Sequence, residues 1–258
     1  MRTIGKLRVK YSKKEPLKFL SHLEVVSAIR QSVRRADLPV CFSEGFSPQL
    51  KISFGPPLAV GYTSDCEIFD MEMENRIDAE LVKKRLVENT PEDLNVLSVS
   101  VVPLDVKAIE LFINVSKYSI KLPNIDKEII ADKIKEFFDS KEFIIERLTD
   151  KSKREIDVRP LVITMKLAPL ENSTDRVSSE INNDLKSQPY NIDAARSSLT
   201  GLVESKIEML LRFGPGKTAK PDVIVQKLFN LSNEERLSLK INRDEIYHEN
   251  EMGGIVLQ

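Results

Sequence analysis

The chain is poor in the residues that build reactive centres. Its 258 residues include two cysteines, Cys41 and Cys66, and two histidines, His22 and His248. Two cysteines are too few for a disulfide scaffold or an iron–sulfur cluster. With no Cys-x-x-Cys pair and so little histidine, neither a metal site nor another cofactor is expected. No run of eighteen apolar residues occurs, so no membrane-spanning helix is expected. The first ten residues alternate and lack an apolar signal core, which argues against a secretory leader. Free thiols in a reducing compartment are the default, and a cytoplasmic location is the expectation.

What is present describes a globular protein able to bury a core, with 41% hydrophobic and 31% charged residues. The net charge of −1 hides an uneven distribution. Residues 1–61 carry eleven Lys or Arg against four Asp or Glu, whereas 62–99 carry four against ten. That asymmetry points to a basic surface on the N-terminal part. Three of the nine glycines, Gly45, Gly55 and Gly61, fall within residues 41–61, interleaved with Pro48, Pro56 and Pro57. Glycine supplies backbone angles other residues avoid, and proline fixes φ, so this stretch is a shaped loop system. Phe42, Phe46, Lys51 and Phe54 decorate it. Aromatic faces beside a cation suit stacking with single-stranded nucleic acid, and a packed hairpin with core phenylalanines is the competing reading.

Along the chain, Leu7, Val9 and Tyr11 alternate with Lys6, Arg8 and Lys10, a half-buried strand with a basic outer face. Ser21-His-Leu-Glu24 has capping-box spacing before a helix whose Leu20, Leu23, Val26, Ile29 and Val33 form one stripe. That helix must stop before Pro39. Strands over 50–54 and 66–74, a helix over 77–87 and a strand over 94–102 complete the order strand, helix, strand, strand, helix, strand. The expected fold is α+β, with two tandem ferredoxin-like (split βαβ) units and antiparallel sheets. The first spans 1–104. The second, 105–258, is less regular: a strand over 109–121, a helix over 127–140, strands over 143–147 and 156–167, a polar excursion at about 170–202, a strand over 203–213, a helix over 221–229 and a closing hairpin of 245–247 with 254–257.

The chemistry-bearing candidates are few. Phe213-Gly-Pro-Gly-Lys-Thr218 sits between a strand and a helix, but Leu211 stands where a phosphate-binding loop needs glycine. An ordinary strand-to-helix turn, or weak anion binding by Arg212, Gly214, Gly216 and Lys217, are the readings left. His22, in a helix's first turn, suits general acid–base cleavage of RNA or a plain capping-region position. The strongest set is basic: Arg8, Lys10, Arg30, Arg34, Arg35 and Lys51 for phosphates, with Lys13, Lys14 and Lys18 nearby, and Phe42 and Phe46 for bases.

Phe19-Leu-Ser-His-Leu-Glu24, Arg34-Arg-Ala-Asp-Leu-Pro39, Glu44-Gly-Phe-Ser-Pro48 and Ile52-Ser-Phe-Gly-Pro-Pro-Leu58 together resemble the radical SAM-linked family, a bacterial domain of unknown function. Asp157-Val-Arg-Pro160 and Arg212-Phe-Gly-Pro-Gly-Lys-Thr-Ala-Lys-Pro221 look like the same family. Its members are fused to, or encoded beside, cobalamin-binding radical SAM proteins. The chain carries no radical SAM cysteine triplet, so it resembles the stand-alone form. The resemblance implies a radical SAM enzyme as partner and an RNA-related task. The Gly-Phe-Ser-Pro stretch is also similar to one in CRISPR repeat-processing endoribonucleases, a fold-level analogy. The leading expectation is therefore a non-catalytic accessory that binds or presents RNA. A metal-independent endoribonuclease using His22 and a purely protein-docking module are the alternatives.

Overall fold

The structure is a computed structural model that describes residues 3–106, 108–123, 125–149, 152–168, 205–214, 218–250 and 254–257. The polar excursion expected at about 170–202 lies outside them. The fold is mixed α+β, with one large and mostly antiparallel sheet and few helices.

The first strand, β1 (Gly5–Lys13), forms as its alternation requires. Leu7, Val9 and Tyr11 enter a core with Val25, Ile29 and Val33 of α1 (His22–Arg35). The helix starts where the sequence signals it. Ser21 Oγ accepts from the Glu24 amide, and the Glu24 carboxylate accepts from the Ser21 amide at 2.7 Å. That reciprocal cap contributes about 1 kcal/mol. Asp37 takes φ 48°, a left-handed exit that turns the chain before Pro39.

Short β2 (Ile52–Phe54) and long β3 (Thr63–Met73) follow. A Cβ on Gly55 would lie 3.2 Å from the Ile68 carbonyl oxygen, so glycine lets the chain pass this close to β3. Next come α2 (Ala79–Asn89), with Asp78 accepting from the Leu81 amide at 3.0 Å, and β4 (Val96–Val102). The strand expected from 109 begins later, because Ile109–Phe112 form a helical turn, α3, before β5 (Val115–Leu122). Ile109 of this turn and Ile113 just after it pack with Cys66, Ile68 and Ile246.

Beyond β5 lie α4 (Lys127–Asp139), β6 (Ile144–Thr149) and β7 (Ser152–Asp157). The latter two pair only with each other, off the main sheet. The strand expected over 156–167 is therefore broken: Arg159–Leu161 form a 3-10 turn and β8 (Val162–Leu167) starts after it. Pro160 has no amide to donate to a ladder. The last elements are β9 (Ser205–Arg212), α5 (Pro221–Phe229), α6 (Asn233–Ser238), β10 (Lys240–Glu249) and β11 (Ile255–Leu257).

The main sheet runs β4-β1-β3-β10-β5-β9-β8, with β2 added to β3 and β11 to β10. One core lies between α1, α2 and the β1 side. A second joins Ile130 and Phe137 of α4 and Ile224, Val225 and Leu228 of α5 to Tyr118, Ile120, Ile207 and Met209. The halves meet at β3 and β10, parallel neighbours only over Thr63↔Asn242 and Ser64↔Arg243. Side chains reinforce this short joint. Arg243, almost fully buried, donates from Nε to Glu67 Oε1 at 2.9 Å, and from Nη2 to Glu67 Oε2 at 2.8 Å and to the Pro56 carbonyl at 3.0 Å. Beside it, Asn242 Nδ2 donates to Asp65 and to Asp244, each at 2.8 Å.

Candidate nucleic-acid interface

The sheet divides the expected basic surface in two. Leu7, Val9 and Tyr11 point to α1, so Arg8 and Lys10 point to the opposite face. There Arg8 makes a bidentate pair with buried Asp70, Nε to Oδ1 at 2.8 Å and Nη2 to Oδ2 at 3.1 Å. Its charge is thereby matched within the protein. Lys51 shares that face. It reaches Glu72 at 3.2 Å, and Glu72 also accepts from the Thr3 hydroxyl at 2.6 Å. The Thr3 bond, with Lys51, holds the Glu72 carboxyl below the usual carboxylate range. Lys13 is buried, donating to the Leu20 carbonyl at 2.8 Å, and burial lowers its amine from the ordinary value. Lys14 pairs with Asp65, and Lys18 with Glu15.

The α1 side carries the rest of the set. Leu23, Ser27, Arg30 and Arg34 recur at steps of four, three and four, so they share one helix face. Leu23 and Arg34 are exposed and Arg30 is half-buried. Arg35, next to Arg34, donates to the Asn89 carbonyl at 2.8 Å. Arg30 Nη1 donates to Gln49 Oε1 at 3.1 Å, and this bond ties the 43–49 loop to the helix.

The loop is a closed turn. The Ser43 amide donates to the Gln49 carbonyl at 2.8 Å, and the Gln49 amide donates to Ser43 Oγ at 2.9 Å. Gly45 at φ 118° occupies an angle that side chains disfavour. Phe46, at the tip, is fully exposed. Phe42 forms a bridge with Leu50, so the two side chains share a face, and Leu50 lies in the core beneath α1. Phe42 is thus on the α1 side, and it is exposed. Phe54 is not part of this surface: it is buried in the core, edge-on to His22 at 6.2 Å. The structure therefore brings Arg30, Arg34, Arg35, Phe42 and Phe46 to one side, and sets Arg8, Lys10 and Lys51 on the other.

Nothing in the sequence pattern marks Gln49, Phe19 or Leu23 for this surface. Gln49 is legible only once its Arg30 partner is known. Leu23 falls at the spacing of the buried stripe, yet it and Phe19 are exposed.

His22 is the first residue of α1, half-buried against Phe54. Burial, with Glu67 adding to it, pushes the Cys66 thiol up to about 12, a poor nucleophile at neutral pH. Among the described residues no group of three His, Cys, Asp or Glu is placed to hold a metal ion. Arg212 is engaged by Glu249 through bonds of 2.7 and 2.6 Å and by the Pro160 carbonyl at 3.1 Å. Gly214 follows it, whereas Gly216 and Lys217 lie outside the described residues. Asp157-Val-Arg-Pro160 is a structural lock. Asp157 Oδ1 accepts from the Phe143 and Arg159 amides at 2.9 and 3.0 Å. The Arg159 guanidinium lies 4.7 Å from the Phe138 ring centre. Among the described residues no helix is long and apolar enough to cross a membrane.

No curated protein matches the chain. A family model described as an uncharacterized protein conserved in bacteria matches residues 6–211, a span that takes in the 42–50 loop, α1 and the Asp157 lock. The chain belongs to that bacterial family, DUF2344.

Proposed function

We propose that this protein is a non-catalytic RNA-binding accessory, which captures single-stranded RNA on the α1 face and the 42–50 loop and presents it to a separate radical SAM enzyme. The observation that carries the RNA part is a fully exposed Phe46 on a loop pinned to an arginine-bearing helix. An aromatic ring contributing nothing to a core is available to stack a base, and stacking is worth about 1–3 kcal/mol per base. Arg30 and Arg34, one turn apart, lie about 5–6 Å from each other on the helix surface and supply phosphate contacts beside it. The radical SAM partner rests on the resemblance of the Gly-Phe-Ser-Pro and Arg-Phe-Gly-Pro-Gly-Lys motifs. His22 keeps a capping-region position in this reading and does no chemistry.

The same reading treats 1–104 and 105–258 as two ferredoxin-like units. Two sheet orders support it. β4-β1-β3 with β2 on the far side of β3, and β10-β5-β9-β8, both follow from strand, helix, strand, strand, helix, strand. In the second unit the β6–β7 hairpin is an insertion between helix and strand.

The test is a titration of a fluorescent single-stranded RNA with the wild type and with Phe46→Ala. The variant is expected to bind roughly 5- to 150-fold more weakly, the affinity equivalent of one stacked base. Its melting temperature should stay unchanged, because Phe46 buries nothing. Equal binding by the two proteins, or no binding by the wild type at low salt, overturns the RNA reading and leaves protein docking by the same exposed aromatics.

A further inference from the structure

We propose that the protein forms a two-fold symmetric dimer in which β4 pairs antiparallel with β4 of a second copy, making one continuous sheet. β4 ends the main sheet, hydrogen-bonded to β1 on one side, with no strand on its other side among the described residues. Such an edge exposes a row of unpaired backbone donors and acceptors, and proteins usually guard it with charge or proline. Here charge is missing from the strand, and the one proline, Pro103, lies just past its end. Residues 94–104, Leu-Asn-Val-Leu-Ser-Val-Ser-Val-Val-Pro-Leu, hold no charge in a chain that is 31% charged. The side chains flanking the edge are apolar and open. Val101 is 72% exposed, and Leu97, Leu104 and Val87 of the overlying α2 are exposed as well.

Partner choice follows from charge and from symmetry. β4 itself bears no cation for a phosphate, and on the face it shares with Leu7 and Val9 a strand bearing charges would bring them unpaired against Val99 and Val101. The occupant is an uncharged, β-branched strand, and this chain supplies one. The register against β1 slips between Lys10 and Tyr11, which pair with Ser98 and Val96, so Leu97 sits in a bulge. That bulge leaves Ser98–Val102 as the regular part of the edge. Read against itself in reverse about Ser100, this stretch sets Val99 against Val101, Ser98 against Val102 and Ser100 against Ser100. Branched side chains then meet on the helix-covered face, and no charge meets a charge. The opposite edge of the sheet is unsuited to receive β4. β8 carries Lys166, which points to Glu208 at 3.3 Å. A β4-to-β8 contact would also be head-to-tail, and so an open chain of subunits rather than a closed pair.

The experiment is sedimentation equilibrium of the full chain over a concentration series, with two variants. The wild type should approach twice its 29.4 kDa as concentration rises. Val101→Lys, an exposed position, should remain monomeric with an unchanged melting temperature, because it places a charge on the edge strand. Ser100→Cys fixes the register: directly opposed residues in an antiparallel pair lie about 4.5–5.5 Å apart, within disulfide reach. Mild oxidation should link it into a covalent dimer, and the native Cys41 and Cys66, both buried, should not compete. A wild type that stays monomeric throughout, a Val101→Lys variant that still dimerises, or a Ser100→Cys variant that fails to cross-link would each overturn the proposal.

Discussion

Replacing Glu67 with Gln is expected to destabilise the protein by about 3–5 kcal/mol, because it leaves the Arg243 charge buried without its counter-ion. The magnitude comes from desolvation. Arg243 and Glu67 are both almost excluded from water, and each satisfies the other through two hydrogen bonds. The Pro56 carbonyl can accept one further bond but cannot neutralise the guanidinium. For a chain of this size the melting temperature should fall by on the order of ten degrees. A paired change, Glu67→Leu with Arg243→Met, should recover most of the loss, since apolar residues of similar volume replace a buried ion pair with little net cost. Thermal denaturation of the three proteins decides it. A loss below about 1 kcal/mol in Glu67→Gln would be the cost of a solvated pair, and would show that the joint between β3 and β10 does not depend on this bond.

The second large effect concerns salt. Changing Arg30, Arg34 and Arg35 together to Ala removes three phosphate contacts in the proposed RNA complex. The slope of log K against log salt should lessen by about 0.7 per contact, so by about 2 in all. Affinity at low salt should fall steeply. Phe46→Ala should weaken binding with little change in that slope, since stacking releases no counter-ions. Changing Lys10 and Lys51, on the other face of the sheet, should leave both quantities nearly as they are. An equal loss of slope in the Lys10 and Lys51 variant would place the RNA on that face instead.

Local elements were legible because local physics sets them. Ser21 and Glu24 announce the cap of α1, and Asp78 that of α2, since a cap needs only a side chain and an amide three residues away. Alternation in β1 told which residues face α1. What the alternation could not tell was the partner of the outward residues. Arg8 looked like a free cation, and only the register of β1 on β3 sets it opposite Asp70. The single sheet running through both halves was equally hidden. Two pairs, Thr63↔Asn242 and Ser64↔Arg243, make the joint, and they lie far apart in sequence without any periodic signal. Within 41–61 the phenylalanines divide by phase. Phe54 follows Ile52 at strand spacing and is buried, whereas Phe46 stands between Gly45 and Pro48 at a turn and is exposed. The Asp157 lock read as strand because its valine and isoleucine neighbours suit one, and Pro160 alone warned otherwise.

The most direct measurement is ultraviolet cross-linking of the folded protein to a single-stranded RNA, followed by peptide mapping of the adduct. Stacking brings an aromatic ring into van der Waals contact with a base, so the cross-linked residue should be Phe46, with Phe42 second. Adducts confined to other segments, or none formed by a protein that melts cooperatively, would contradict the assignment of this loop as the RNA-binding surface.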